Sequence, residues 1–115
     1  MTKRLKLDAS LIQPLAEGRG SCIASDDITV RGNGVGYMYR EMPDTTVDSG
    51  WRFFSGYESQ EFADDPNNFE LYDVNTIANY DPSIIPFLDE APGSAWGRDI
   101  AGQFVREPMP VDPDA

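Results

Sequence analysis

The sequence changes habit near its middle, and that change limits the fold more than any single motif does. Up to Gly56 the apolar residues fall in short runs rich in β-branched and aromatic side chains: Cys22-Ile23-Ala24, Ile28-Thr29-Val30, Val35 to Arg40 and Trp51 to Phe54. Such residues suit a pleated, half-buried surface, and turn residues separate the runs. After Gly56 the punctuation becomes helical. Asp65-Pro66 and Asp81-Pro82 each put a capping aspartate before a proline at a first helical position, and Asp73 can cap a third short helix. In that third helix Val74, Ile77 and Ala78 share one face. Neither Asp-Pro turn can run far, because Asp73 follows the first and Pro86 interrupts the second. Strands early and helical turns late argue against the regular alternation of a parallel sheet. The expected fold class is α+β: an antiparallel sheet of about four or five strands, with short helices packed on one face.

Within that frame Asp26-Asp27 reads as a turn, and Asn33-Gly34 as the tight turn of a β-hairpin joining the runs on either side. Alternation over Val35 to Arg40 sets Tyr37 and Tyr39 on one face, with Gly36, Met38 and Arg40 on the other. Met42-Pro43-Asp44 breaks the sheet, and Asp48-Ser49-Gly50 turns the chain into the strand Trp51 to Phe54. Ile84, Ile85, Phe87 and Leu88 supply a last core segment or a central strand, and Ser94 to Val105 is expected to form a short helix around Trp96, Ile100 and Phe104. Pro14 breaks up the apolar residues near the start, so residues 1–19 read as an irregular lead-in. Residues 20–105 then form a single domain, and residues 106–115, with Pro108, Pro110 and Pro113, an extended tail. A chain of 115 residues is long enough for one core and short for two.

Charge and missing residue types exclude much chemistry. The net charge is -11, with four basic and two acidic side chains in residues 1–19 against five basic and eighteen acidic after them. Between Glu41 and Glu90 only Arg52 opposes twelve acidic residues. A surface of that sign repels phosphate backbones and anionic membranes, so no nucleic-acid or membrane partner is expected and a basic protein is the natural complement. Solubility alone also accounts for such acidity. The chain has no histidine, which excludes imidazole-dependent nucleophiles and histidine-ligated metals. Gly32-Asn33-Gly34-Val35-Gly36 sits between β-patterned runs with no lysine after it, unlike a phosphate-binding loop. A calcium loop starting at Asp64 fails at its third, sixth and twelfth positions, which are Pro66, Phe69 and Asn75. Carboxylate pairs such as Asp44 with Asp48, or Asp73 with Asp81, leave acid–base chemistry open only where the fold sets them about 5 to 10 Å apart. Cys22 is the only cysteine, so the chain cannot form an internal disulfide. No run approaches the roughly 18 to 20 apolar residues of a spanning helix and no signal-like segment follows Met1 to Lys6, so a cytoplasmic protein is expected.

The run Gly36 to Gly56, GYMYREMPDTTVDSGWRFFSG, followed by Tyr72-Asp-Val-Asn-Thr and Asn79-Tyr-Asp-Pro, resembles the bacterial immunity-protein-33-like family. The resemblance covers about Ser21 to Asp99 and carries Tyr39, Arg40, Asp48, Gly50, Trp51, Arg52, Asp73, Asn75, Thr76, Tyr80, Asp81 and Pro82. It implies a non-enzymatic protein that binds and neutralises a toxin made by the same cell, with no catalytic residue, metal ligand or cofactor. The candidate partner-binding residues are Arg40, Asp44, Asp48, Trp51, Arg52, Glu58, Glu61, Asp64 and Asp65: an acidic rim for attraction, with Trp51 and Arg52 as an anchor. A plainer role for Arg40 and Arg52 is pairing with Glu41, Asp48 or Asp73. The alternative function is a ligand-binding or regulatory domain, whose loop Glu41 to Gly50 would cover a small-molecule pocket lined by Tyr39, Trp51 and Tyr80.

Overall fold

The computed structural model describes residues 3–110. Six strands form one sheet: β1 (Ser21–Ser25), β2 (Tyr37–Arg40), β3 (Asp48–Phe54), β4 (Phe69–Asp73), β5 (Ser94–Arg98) and β6 (Phe104–Glu107). Their order is β4-β1-β3-β2-β5-β6. All neighbours run antiparallel except β1 and β3, which are parallel. The α+β class holds, while the sheet is mixed and larger than the expected antiparallel sheet of four or five strands. The mixed pairing traces to one local misreading, and the larger sheet to a second together with β4, which was not expected as a strand.

The first lies at Ile28-Thr29-Val30, expected as a strand. Residues Asp26–Thr29 form the helix α1 instead. The Ser25 side chain accepts a hydrogen bond from the Asp27 N–H, and two aspartates occupy the first turn, so capping and charge override the β preference of Ile28 and Thr29. Both side chains are buried under that helix. No hairpin forms at Asn33-Gly34, and Gly32 is the residue there with positive φ. With α1 and the following loop crossing over after β1, the chain returns through β2 and the loop 41–47 to set β3 parallel to β1. The second misreading is Ser94 to Val105, expected as a helix. It forms β5, a turn and β6, because the Asp99 carboxylate accepts the Ala101 and Gln103 N–H groups and closes the turn. Strand β6 therefore takes Arg106 and Glu107 from the segment expected as tail, while Pro113 lies outside the described residues.

The helical starts lie where the aspartates put them. Asp65 and Asp81 cap 3-10 turns at Pro66–Asn68 and Pro82–Phe87, and Asp73 caps α3 (Val74–Tyr80). The Pro82–Phe87 turn supplies core through Ile84, so this segment is not a central strand. Strand residues Cys22, Ala24, Met38, Trp51 and Phe53 pack on one side against Ile28, Val74, Ile77, Ala78, Ile84 and Leu88. This side is the core, and α1, α3 and the Pro82–Phe87 turn cover it. Burial pushes the Cys22 thiol far above its ordinary pKa, so it behaves as a small apolar side chain.

The lead-in is irregular apart from a 3-10 turn at Ala9–Leu11, and it is strapped to α3. The Asn75 side chain accepts the Leu15 and Ala16 N–H groups and donates to the Gln13 carbonyl. The Tyr80 hydroxyl accepts the Leu7 N–H and donates to the Thr29 carbonyl.

Candidate partner-binding face

Strand alternation sends Ile23, Arg52, Phe54, Tyr37, Tyr39, Phe69 and Leu71 to the side away from the core. Helix α2 (Gln60–Asp64) adds Phe62 at one end of this outer side. The rings form a continuous stripe. Tyr37 lies 6.0 Å from Tyr39 and 6.0 Å from Phe54, and Tyr39 stacks on Phe54 at 5.8 Å. Phe54 meets Phe69 at 5.7 Å, and Phe69 meets Phe62 at 6.2 Å. All five rings are partly exposed, and Leu71 beside them is 69% exposed. Burial raises the pKa of both Tyr37 and Tyr39, so each keeps its phenolic proton at neutral pH.

A charged node sits at the head of the stripe. The register moves from Ser21 opposite Asp48 to Ile23 opposite Arg52, so β3 bulges at this point. Gly50 makes the bulge possible, since its φ is +87° and a Cβ there would overlap the Glu41 carbonyl oxygen. The bulge brings Asp48 over Arg52. Asp48 accepts Arg52 Nη1 at 3.0 Å and Nη2 at 2.9 Å, while Glu41 accepts Nε at 2.7 Å. Hydrogen bonding to Arg52 holds the Asp48 carboxyl well below the usual carboxylate range, and the Gly50 and Asp44 N–H groups add to it. Burial opposes the charge of Arg52, yet its bonds to Asp48 and Glu41 keep it firmly protonated. Asp48 also ties down the loop 41–47 by accepting the Asp44 N–H, and its own N–H donates to Thr45 Oγ1.

The residues expected to meet a partner therefore divide. Trp51 is 1% exposed, stacks on Phe53 and donates to the Leu88 carbonyl, so its side chain is core. Arg52 and Asp48 hold the bulge, which agrees with the plainer pairing role. Arg40 donates to the Ser49 and Glu90 carbonyls on the core side and pairs with neither Asp48 nor Asp73. Glu58 accepts the Ser55 and Gly56 N–H groups and fixes the turn after β3. Asp44, Glu61, Asp64 and Asp65 stay exposed, the last three beside the outer stripe on and after α2. Tyr39 and Trp51 lie on opposite sides of the sheet and Tyr80 bonds the lead-in, so these three line no common pocket. Phe54, Phe62, Phe69, Ile23 and Leu71 were missed as surface residues. For Phe54 and Ile23, and for Phe69 and Leu71 once Phe69–Asp73 is read as a strand, the signal was the same period-two alternation that placed Tyr37 and Tyr39 together, whereas Phe62 lies on α2 and carried no such signal.

A shallow groove of about 640 Å³ runs beside the stripe, lined by Ile23, Ala63, Pro66, Phe69 and Leu71 with Asp64 and Glu70. Among the described residues no cluster of three or more His, Cys, Asp or Glu could hold a metal ion. No helix among them is long and apolar enough to cross a membrane.

Fold and face together define a small acidic α+β domain built on one sheet, whose core side α1, α3 and the Pro82–Phe87 turn cover. The chain belongs to the family described as the Immunity protein Imm33 domain, whose model matches residues 22–107. No curated protein and no solved structure matches the chain. The motif residues that carry the resemblance hold the fold: Asp73 caps α3, and Asn75 and Tyr80 bind the lead-in. Asp81 accepts the Val35 and Ser83 N–H groups and pairs with Arg98.

Proposed function

We propose that this protein binds a cognate bacterial toxin and neutralises it by occupying the toxin's surface, with no chemistry of its own. The observation that carries this reading is the partly exposed aromatic stripe on the outer side of the sheet, beside exposed carboxylates. Aromatic side chains offer large contact area at low entropic cost, and interface energy concentrates in them. Asp44, Glu61, Asp64 and Asp65 supply the attraction, and a basic toxin domain is the partner that their charge fits. Glu58, Asp48 and Arg52 act from behind by fixing the turn and the bulge that shape this face, and Trp51 acts as the core beneath it. On this reading the protein works in the cytoplasm and binds neither nucleic acid nor membrane.

The test is neutralisation. The tagged protein is used to retain its partner from cells that express it, at low and moderate salt, and the retained toxin is assayed with and without the protein. Inhibition at one-to-one stoichiometry, lost in Phe54→Ala but kept in a folded control altered on the helical side such as Ser83→Ala, supports the reading. Retention of no toxin-like protein from cells shown to express one overturns it.

A further inference from the structure

We infer that Tyr37 and Glu107 form a subsite for one arginine side chain of the partner, whose guanidinium lies on the Tyr37 ring and pairs with the Glu107 carboxylate. This rests on the reading that the outer face meets a basic toxin, and it names a residue that the toxin presents there.

The register places Glu107 on the outer side. Tyr39 lies opposite Ala95 across β2 and β5, and Ala95 lies opposite Glu107 across β5 and β6, so all three side chains point away from the core. The neighbouring row runs Phe54, Tyr37, Gly97, Val105. Gly97 leaves a notch in that row, and the Glu107 side chain lies diagonally across it: a Cβ on Gly97 would stand 3.0 Å from Glu107 Oε1 and 3.1 Å from its Cγ. The carboxylate thus sits over Gly97, beside Tyr37. Burial raises the Tyr37 pKa, and the nearby Glu107 charge adds to the rise.

This carboxylate is unpaired. Glu107 is only partly exposed, yet among the described residues its side chain joins no ion pair and accepts no hydrogen bond. A carboxylate that has lost part of its hydration gains from a cation that replaces it. The other two carboxylates beside the tyrosine pair, Glu41 and Asp48, are already taken by Arg52, which lies opposite Tyr39. One side of the sheet therefore holds a tyrosine, its carboxylates and their arginine, and then a second tyrosine and carboxylate without one. The Tyr37 ring is open too. Arg31, Arg40, Arg98 and Arg106 lie over Phe62, Trp51, Phe104 and Trp96, and among the described residues no cation lies over Tyr37. A guanidinium suits both groups, because its planar face stacks on a ring while its edge forks onto a carboxylate, which a compact ammonium does less well. Two copies of a chain of net charge -11 repel, so the arginine belongs to a basic partner.

The experiment titrates the full chain with an end-blocked Gly-Arg-Gly peptide, followed by NMR of the amides and the tyrosine rings. Saturable shifts are expected at Tyr37, Gly97, Val105 and Glu107. The Gly-Lys-Gly peptide should bind about threefold more weakly, and a peptide with neutral citrulline in place of arginine should leave these signals unmoved. Glu107→Gln should abolish the shifts while its melting temperature stays the same or rises, since the substitution removes an unpaired charge and no contact. Absence of shifts at these four residues, equal shifts in Glu107→Gln, a lower melting temperature of that variant, or dimerisation of the free chain through this face would each overturn the inference. Toxin neutralisation is measured in parallel, and Glu107→Gln should weaken it by about tenfold. Neutralisation that is unchanged in Glu107→Gln overturns the arginine subsite alone, whereas failure of the unaltered chain to neutralise removes the underlying reading.

Discussion

Replacing Asp48 by Asn isolates the node that shapes the outer face. The Asp48 carboxylate makes both ends of a bidentate pair with Arg52, whose side chain is only 6% exposed. An Asn side chain keeps one acceptor oxygen and turns an N–H2 group toward the guanidinium, so the fork is lost and Arg52 retains Glu41 and the Trp51 carbonyl. Breaking a buried ion pair on one side costs about 3 to 5 kcal/mol, and the surviving Glu41 bond puts this case near 3 kcal/mol. For a domain of this size that lowers the melting temperature by about 12 °C, at roughly 4 °C per kcal/mol. Glu41→Gln is the internal control. Glu41 is half exposed and makes a single bond to Arg52, so its loss costs about 1 kcal/mol or less. The pH dependence carries the same sign. Because the folded-state pKa of Asp48 is depressed, its contribution is complete above the ordinary carboxylate value near 4 and is lost as pH falls through the folded value. The gap between Asp48→Asn and the unaltered protein in urea unfolding should therefore be widest near neutral pH and narrow in acid. Equal destabilisation by the two variants, or a gap that widens in acid, would refute this account of the node.

Other substitutions test other joints. Gly50→Ala forces a side chain into positive φ against the Glu41 carbonyl, and a loss of about 3 kcal/mol or more is expected in chemical denaturation, with the outer face disturbed at Arg52. Tyr80→Phe removes the hydroxyl between Leu7 and Thr29; a loss of about 1 to 2 kcal/mol and faster proteolytic cleavage within the lead-in are expected. Phe54→Ala should cost stability by about 2 kcal/mol and weaken toxin binding by tenfold or more, measured by calorimetry on folded protein. Neutralising Asp44, Glu61, Asp64 and Asp65 together should slow association at low salt and flatten its salt dependence, with dissociation little changed in stopped-flow measurements.

Where single residues dictate backbone geometry, the chain was legible. Asp65, Asp73 and Asp81 announced their turns because a carboxylate before a helical start has one strongly favoured use. Tyr37 and Tyr39 announced a shared side of a strand because the period of two leaves no choice. What stayed hidden depended on distant contacts. Ile28-Thr29-Val30 reads as strand until Ser25 is known to cap it, and β5 with β6 reads as helix until Asp99 closes the turn between them. The parallel pairing of β1 with β3 follows from that missed helix. The candidate site was obscured for a related reason. Trp51 and Phe54 look alike in sequence as large aromatics on one strand, and only the strand's orientation decides that one is core and the other surface. The acidic rim was visible, but charge count alone does not separate Asp48, half-buried against Arg52, from Asp64, which stays exposed and accepts only the Gln60 side chain.

Differential hydrogen exchange on the complex with the retained toxin tests the binding face most directly. Slowed exchange over Tyr37–Tyr39, Arg52–Phe54 and Phe62–Leu71, with α3 and residues 82–88 unchanged, is the expected result. Protection centred on α3 and residues 82–88 instead, with the aromatic stripe exchanging as in the free protein, would contradict it.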